Sequence, residues 1–216
     1  MGKKLLNIVL LGKAGSGKGT QAEFLKSNYN LHHISTGDVM RRHVKENTKY
    51  GKLIKEYQEK GDLVPDNTTI EILKEEIKTI ESQDKNLNGF IFDGFPRTKE
   101  QAELLSQEIG VDIVFDFEVS DEIATKRIKY RAEQQLLNGE KPRQDDLNEE
   151  SIKKRLAIYN ENNKKLKSVF KRFEKIKLVN INAEKSKQEI SNEEENVLKL
   201  FKKATNSFED KAQIIE

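Results

Sequence analysis

The chain of 216 residues contains no cysteine, which excludes a disulfide framework, thiolate metal ligands and a cysteine nucleophile. Nor is there an excess of one charge: 39 lysines and arginines face 37 aspartates and glutamates, a formal net charge of +2. A general polyanion binder would show a basic surplus, so no nucleic-acid partner is expected, while a local basic site stays open. No apolar run approaches the roughly 20 residues that cross a bilayer, and Met1 to Leu11 lacks a full signal-peptide core and a small-residue cleavage site. The expectation is a soluble, cytoplasmic protein with no membrane partner. At roughly 150 residues per domain the length fits one large domain or one and a half.

Arginine is scarce too. Only eight of the basic residues are arginines: Arg41, Arg42, Arg97, Arg127, Arg131, Arg143, Arg155 and Arg172. A chain that uses lysine for its surface has little bland need of arginine, whose planar, permanently charged fork suits phosphate or carboxylate. All eight are therefore candidates.

What is present is an alternation of strands and helices. Leu5 to Leu11 is a nearly continuous apolar run ended by Gly12, the pattern of a strand buried on both faces. Gln21 to Lys26 reads as helix and His32 to Ser35 as a weak strand. Val39 to Tyr57 reads as two short helices broken near Gly51. Asp66 is the expected N-cap of a helix carrying Ile70, Leu73, Ile77 and Ile80. Gly89 to Asp93 and Asp112 to Val119 are further strands. Ser120 to Leu137 is helix, Asn138 to Asp146 a polar loop, Glu149 to Phe173 a long helix and Lys175 to Asn182 the fifth strand. A final helix is expected from about Ser186, with a frayed tail from about Thr205. The fold class is α/β, a parallel sheet with helices on both faces.

The strongest motif is Gly12-Lys13-Ala14-Gly15-Ser16-Gly17-Lys18-Gly19-Thr20, placed between the first strand and a helix. Its glycines let backbone N–H groups converge on one anion, the helix N-terminus adds its dipole, and Lys18 reaches the outer phosphates. Thr36 and Arg41 lie about a turn apart near the start of another helix. Asp93, at a strand end, stands where a phosphate-binding fold puts a carboxylate facing Mg²⁺ through water. Arg97 follows a rigid Gly-Phe-Pro turn. Arg127 and Arg131 share one helix face, with Arg143 in the loop and Arg155 on the return helix, the layout of a flap closing cations over phosphate. Ion pairs with Glu133, Asp145 or Glu149 are the alternative for these four. His32 and His33 point to opposite faces of a strand and do not chelate one metal; with His43 they read as structural.

These motifs, with Ser35-Thr36-Gly37-Asp38 before Arg41, Gly61-Asp62-Leu63-Val64 and Asp93-Gly94-Phe95-Pro96-Arg97-Thr98, in this order and spacing, resemble the nucleoside monophosphate kinases, most closely the adenylate kinases. The resemblance spans about residues 5 to 199. It implies a P-loop NTPase fold with a five-stranded parallel sheet, a helical NMP-binding flap at about 36–73, a short lid at about 132–146, and a polar tail at 200–216. It implies ATP and AMP as substrates, Mg²⁺ as cofactor and a monomer. Residue by residue, Gly15, Ser16, Gly17, Lys18, Gly19 and Thr20 would meet the ATP phosphates, with Arg127 and Lys185 at the ATP base. Thr36, Arg41, Asp62, Leu63, Val64, Gly94 and Arg97 would hold AMP, with Gln101 reading the adenine edge and Arg143 and Arg155 also reaching the AMP side. Lys18, Arg41, Arg97, Arg131, Arg143 and Arg155 would surround the transferring phosphoryl group, and Asp93 would face Mg²⁺. Arg42 and Arg172 are left to the surface. Pyrimidine monophosphate kinases resemble the chain as well, but Thr98 and Gln101 favour AMP; a nucleotide-binding regulatory module without turnover is the reading from another class. Four features depart from the family pattern: Lys13 and Ala14 in the loop, a lid too short for the insert of longer members, one extra residue between Arg143 and Arg155, and the tail.

Overall fold

The computed structural model describes residues 5–60 and 64–205. Five strands form one parallel sheet: β1 (Leu6–Gly12), β2 (Leu31–Ser35), β3 (Gly89–Asp93), β4 (Ile113–Glu118) and β5 (Lys177–Asn182), in the spatial order β2-β3-β1-β4-β5. Nine helices connect or follow them among the described residues: α1 (Lys18–Tyr29), α2 (Thr36–Lys45), α3 (Lys49–Lys60), α4 (Asp66–Gln83), α5 (Lys99–Leu104), α6 (Asp121–Leu137), α7 (Gln144–Leu147), α8 (Glu149–Arg172) and α9 (Lys187–Thr205). The α/β class and the five expected strands are present.

The central strand explains the two-layered core. Side chains alternate across a strand, so Leu6, Ile8 and Leu10 enter a core shared with α1, α6 and α9, while Val9 and Leu11 enter one shared with α4, α5 and the end of α8. Both faces are dry, which is why β1 is apolar almost throughout rather than alternating.

Local chemistry moves several boundaries. The break after α2 falls at Asn47, which has φ +50°, and not at Gly51. Thr48 Oγ1 accepts from Gly51 N at 3.2 Å, starting α3. Gly51 lies inside that helix, where a Cβ would stand 2.2 Å from the His43 carbonyl oxygen, so its small size serves packing. Asp66 is the first residue of α4, not its cap; Pro65 holds that position and the Asp66 carboxylate turns to α5 instead. The expected polar loop contains α7, whose Asp146 is buried. After α5 the chain makes a π-helical turn, Leu105–Ile109. The tail beyond Thr205 lies outside the described residues.

Among the described residues, one buried acid lacks any hydrogen-bond partner. Glu194 on α9 is fully enclosed, a turn from Ile190 and Leu198, and neither carboxylate oxygen is hydrogen-bonded. Burial, with some repulsion from Glu193, pushes its pKa up from 4.5 to about 9. The folded state thus holds this proton more tightly than the unfolded chain, so stability falls as pH rises between those two values. Replacing Glu194 by Met is expected to flatten that slope and to stabilise the protein at about pH 8 by ~1–3 kcal/mol in urea unfolding. An unchanged slope would mean that Glu194 is not held protonated.

Candidate active site

All five parallel strands end on one edge of the sheet, at Gly12, Ser35, Asp93, Glu118 and Asn182. Between β1 and its neighbours the chain passes from the β2–β3 side to the β4–β5 side, and open α/β sheets bind ligands at such a place.

The phosphate-loop residues sit there. Gly12 to Gly17 turn from β1 into α1, Gly17 taking φ +94°, and α1 opens at Lys18 with neither a side-chain cap nor an acidic residue in its first turn. A helix start left open in this way presents N–H groups and positive dipole to an anion. Lys18 Nζ donates to the carbonyls of Gly12 (2.5 Å) and Lys13 (2.9 Å) and lies 3.4 Å from Ser16 Oγ. Burial lowers the Lys18 pKa; the Asp93 carboxylate opposes this, and Arg97, Arg155 and Arg131 add to it. Gly19 and Thr20 are exposed at the mouth. Gly15, at φ +80°, is pressed against α6: a Cβ there would stand 2.3 Å from the Ala124 carbonyl oxygen. Lys13, an unusual charge in such a loop, points away from the mouth and pairs with Asp121 at the start of α6, whose other oxygen accepts from Asn160 Nδ2 on α8 at 3.0 Å.

Across the cleft, Asp93 ends β3 with His33 Nε2 at 3.4 Å, and His33 Nδ1 lies 3.5 Å from Glu23. Burial pushes the Asp93 pKa up, but the neighbouring His33 ring and the Lys18 charge outweigh it and hold the carboxyl below its usual range. Thr36 is buried and donates to the Asp93 carbonyl at 3.3 Å. Arg41 pairs with Asp38 on α2. After Gly94 and a cis Phe95–Pro96 peptide, Arg97 Nε donates to the Gly94 carbonyl at 2.8 Å. Gln101 on α5 is buried, and Val64 lies in the core beside α4. Asp62 and Leu63 fall outside the described residues.

On the third side, Arg127 donates to the Ala183 carbonyl at 2.8 Å, which places it beside the Ala183–Lys185 turn; Lys185 itself pairs with Glu193 at 3.1 Å. Arg131 Nε donates to Asp146 at 3.0 Å, and Arg155 donates to the same carboxylate at 2.9 Å and pairs with Asp145 at 2.8 Å. Glu149 pairs with Lys129 instead. Arg143 stands at the start of α7 and acts electrostatically on both Asp38 and Asp93. Arg97 in turn feels Arg155, Asp93, Asp145 and Arg41.

The sequence located the cations and, in Asp145, one of their carboxylate partners; it did not locate Asp146, which holds two of them, nor His33 beside Asp93. Asp145-Asp146 just after Arg143 was the available signal. Arg42 and Arg172 pair with Glu76 and Glu103. The result is a cleft with an open helix start, converging guanidinium groups, one ammonium and one ionised carboxylate. Such a set can hold a polyphosphate and stabilise charge on it without supplying a nucleophile.

The sequence is similar to those of known proteins. The family model for adenylate kinase matches residues 10–175. An adenylate kinase of Flavobacterium psychrophilum is 44% identical over 181 residues, 82% of this chain and 90% of the relative. One from Bacteroides fragilis is 42% identical over 77% of the chain and 85% of its own length. One from Listeria monocytogenes is 36% identical over 91% of the chain and all of its own length. With the phosphate loop, the strand-end aspartate and the arginines all inside the matched span, the chain belongs to the adenylate kinase family.

Proposed function

We propose that the chain transfers the terminal phosphoryl group of ATP to AMP, reversibly, giving two ADP. An AMP phosphate oxygen attacks the γ-phosphorus while the bond to the β–γ bridging oxygen breaks. The observation that carries this reading is the convergence of Lys18, Arg97, Arg131 and Arg155 on one cleft beside an uncapped helix start. Phosphoryl transfer needs such positioning and cations rather than covalent help. In this reading Gly15 to Thr20 bind the ATP phosphates, with Arg127 and the Lys185 backbone at the base. Thr36, Arg41, Asp62, Leu63, Val64, Gly94, Arg97 and Gln101 hold AMP. Arg131, Arg143 and Arg155 close over the phosphates.

Mg²⁺ fits the donors. No group of three or more His, Asp or Glu among the described residues could chelate an ion alone, whereas Asp93 offers one ionised carboxylate, 17% exposed, at the cleft. That suits a hard cation that keeps its waters and shares its shell with phosphate oxygens; when bound, Mg²⁺ would neutralise charge on the transferring group. The short lid is in keeping with a monomer. No helix among the described residues is long and apolar enough to cross a membrane, in keeping with a cytoplasmic enzyme.

ADP formation with ATP and Mg²⁺ is expected to be fast with AMP and slow with CMP, UMP, GMP or no acceptor; preference for a pyrimidine would overturn Gln101 as base reader. Arg97→Ala is expected to lower kcat by roughly a thousandfold or more with the fold intact, and a normal rate would remove Arg97 from the site. Water must be kept from the phosphoryl group, so segments 36–73 and 132–146 are proposed to close over the substrates. A bisubstrate compound, two adenosines joined by a phosphate chain, should slow amide hydrogen exchange in both; equal exchange with and without it would count against closure.

A further inference from the structure

The corrected position of Asp66 gives it a job that helix capping would not. Its carboxylate faces the N-terminus of α5, where Oδ1 accepts from Gln101 Nε2 at 2.7 Å and Oδ2 from Thr98 Oγ1 at 3.2 Å. The other end of the same amide is also engaged: Gln101 Oε1 accepts from the backbone N–H of Arg97 at 2.7 Å. A carboxylate can only accept here, and a backbone N–H can only donate. The two partners therefore fix which end of the Gln101 amide is oxygen and which is nitrogen; the flipped amide would set Oε1 against the carboxylate and Nε2 against an N–H. Thr98 holds the frame, since its hydroxyl also accepts from Gln101 N at 3.1 Å.

An amide has two N–H donors and two acceptor lone pairs. With one of each used inside the protein, one N–H and one lone pair remain, side by side, in a fixed order. Adenine's pairing edge presents an acceptor, N1, next to a donor, the 6-amino group. A 6-oxopurine presents the reverse, an N1–H donor next to an acceptor oxygen. A Gln101 free to flip could serve either; one held from both ends serves a single edge. We infer that Asp66 is a specificity-determining positioning residue, which locks the Gln101 amide in the orientation that accepts 6-aminopurine monophosphates and rejects 6-oxopurine ones. This rests on the reading of Gln101 as the base reader.

The test compares AMP with inosine monophosphate, which has the same outline without a 2-amino group, as acceptors for the wild type, Asp66→Asn and Asp66→Ala. Asn can turn either end toward Gln101 and so permits the flip; Ala removes the acceptor altogether and stands in should the Asn variant not fold. The expected result is that the ratio of kcat/KM for AMP over inosine monophosphate falls roughly tenfold or more in the variants, the KM for ATP staying at the wild-type value. An equal loss with both acceptors, or an unchanged ratio, would overturn the inference and leave Asp66 a structural residue. A wild type that does not itself prefer AMP would overturn the reading of Gln101 beneath it, so the two failures appear in different proteins.

Discussion

Like charges must be kept close together before anything negative lies between them, and that constraint organises the cleft. Five of the cations have resting partners. Lys18 leans on two loop carbonyls, Arg41 on Asp38, Arg97 on the Gly94 carbonyl, and Arg131 and Arg155 share Asp146. These partners are weak enough or exposed enough to be exchanged, with one exception. Asp146 is wholly buried and bridges two guanidinium groups; burial pushes its pKa up, but the hydrogen bonds from Arg155 and Arg131 hold it down. Leaving either arginine without this carboxylate would strand a charge in a crowded cationic site.

The frame supplies the rest of the geometry. A parallel sheet brings five strand ends to one edge, and the glycine-rich loop is registered against α6 and α8. Gly15 abuts Ala124, and Lys13 reaches Asp121, which Asn160 also holds, so the loop, α6 and α8 meet at one carboxylate. A little further along, α8 is anchored to the sheet. Tyr159 donates to the buried Asp116 at 2.9 Å, and Lys167 pairs with Asp116 and with Glu118. Arg155 sits one turn before that anchor, where the fixed part of α8 meets the part that leads to α7.

Much of this was legible in the sequence, for identifiable reasons. Buried parallel strands are apolar on both faces, so β1, β3 and β4 stand out as short runs. The loop from Gly12 to Thr20 carries its meaning in glycine spacing, and scarce arginines in a lysine-rich chain mark the cleft. What stayed hidden depends on tertiary placement. Asp66 looks like an ordinary helix cap and Asp146 like the end of a polar loop, and only the approach of α5 or of Arg131 and Arg155 gives them partners. His33 reads as a strand residue until β2 lies beside β3 and brings it to Asp93. Gly51 reads as a helix breaker because nothing local reveals that His43 packs against it.

The claim at the centre is that the resting partners of the cations, Asp146 excepted, are exchanged for phosphate. A crystal structure with two adenosines bridged by five phosphates would examine it most directly. If the claim holds, Lys18 Nζ will have left the Gly12 and Lys13 carbonyls, and Arg41, Arg97, Arg131 and Arg155 will each contact phosphate oxygens of the bridge. A bridge lying in the phosphate loop while Lys18, Arg41 and Arg97 keep their present carbonyl and carboxylate partners would contradict it.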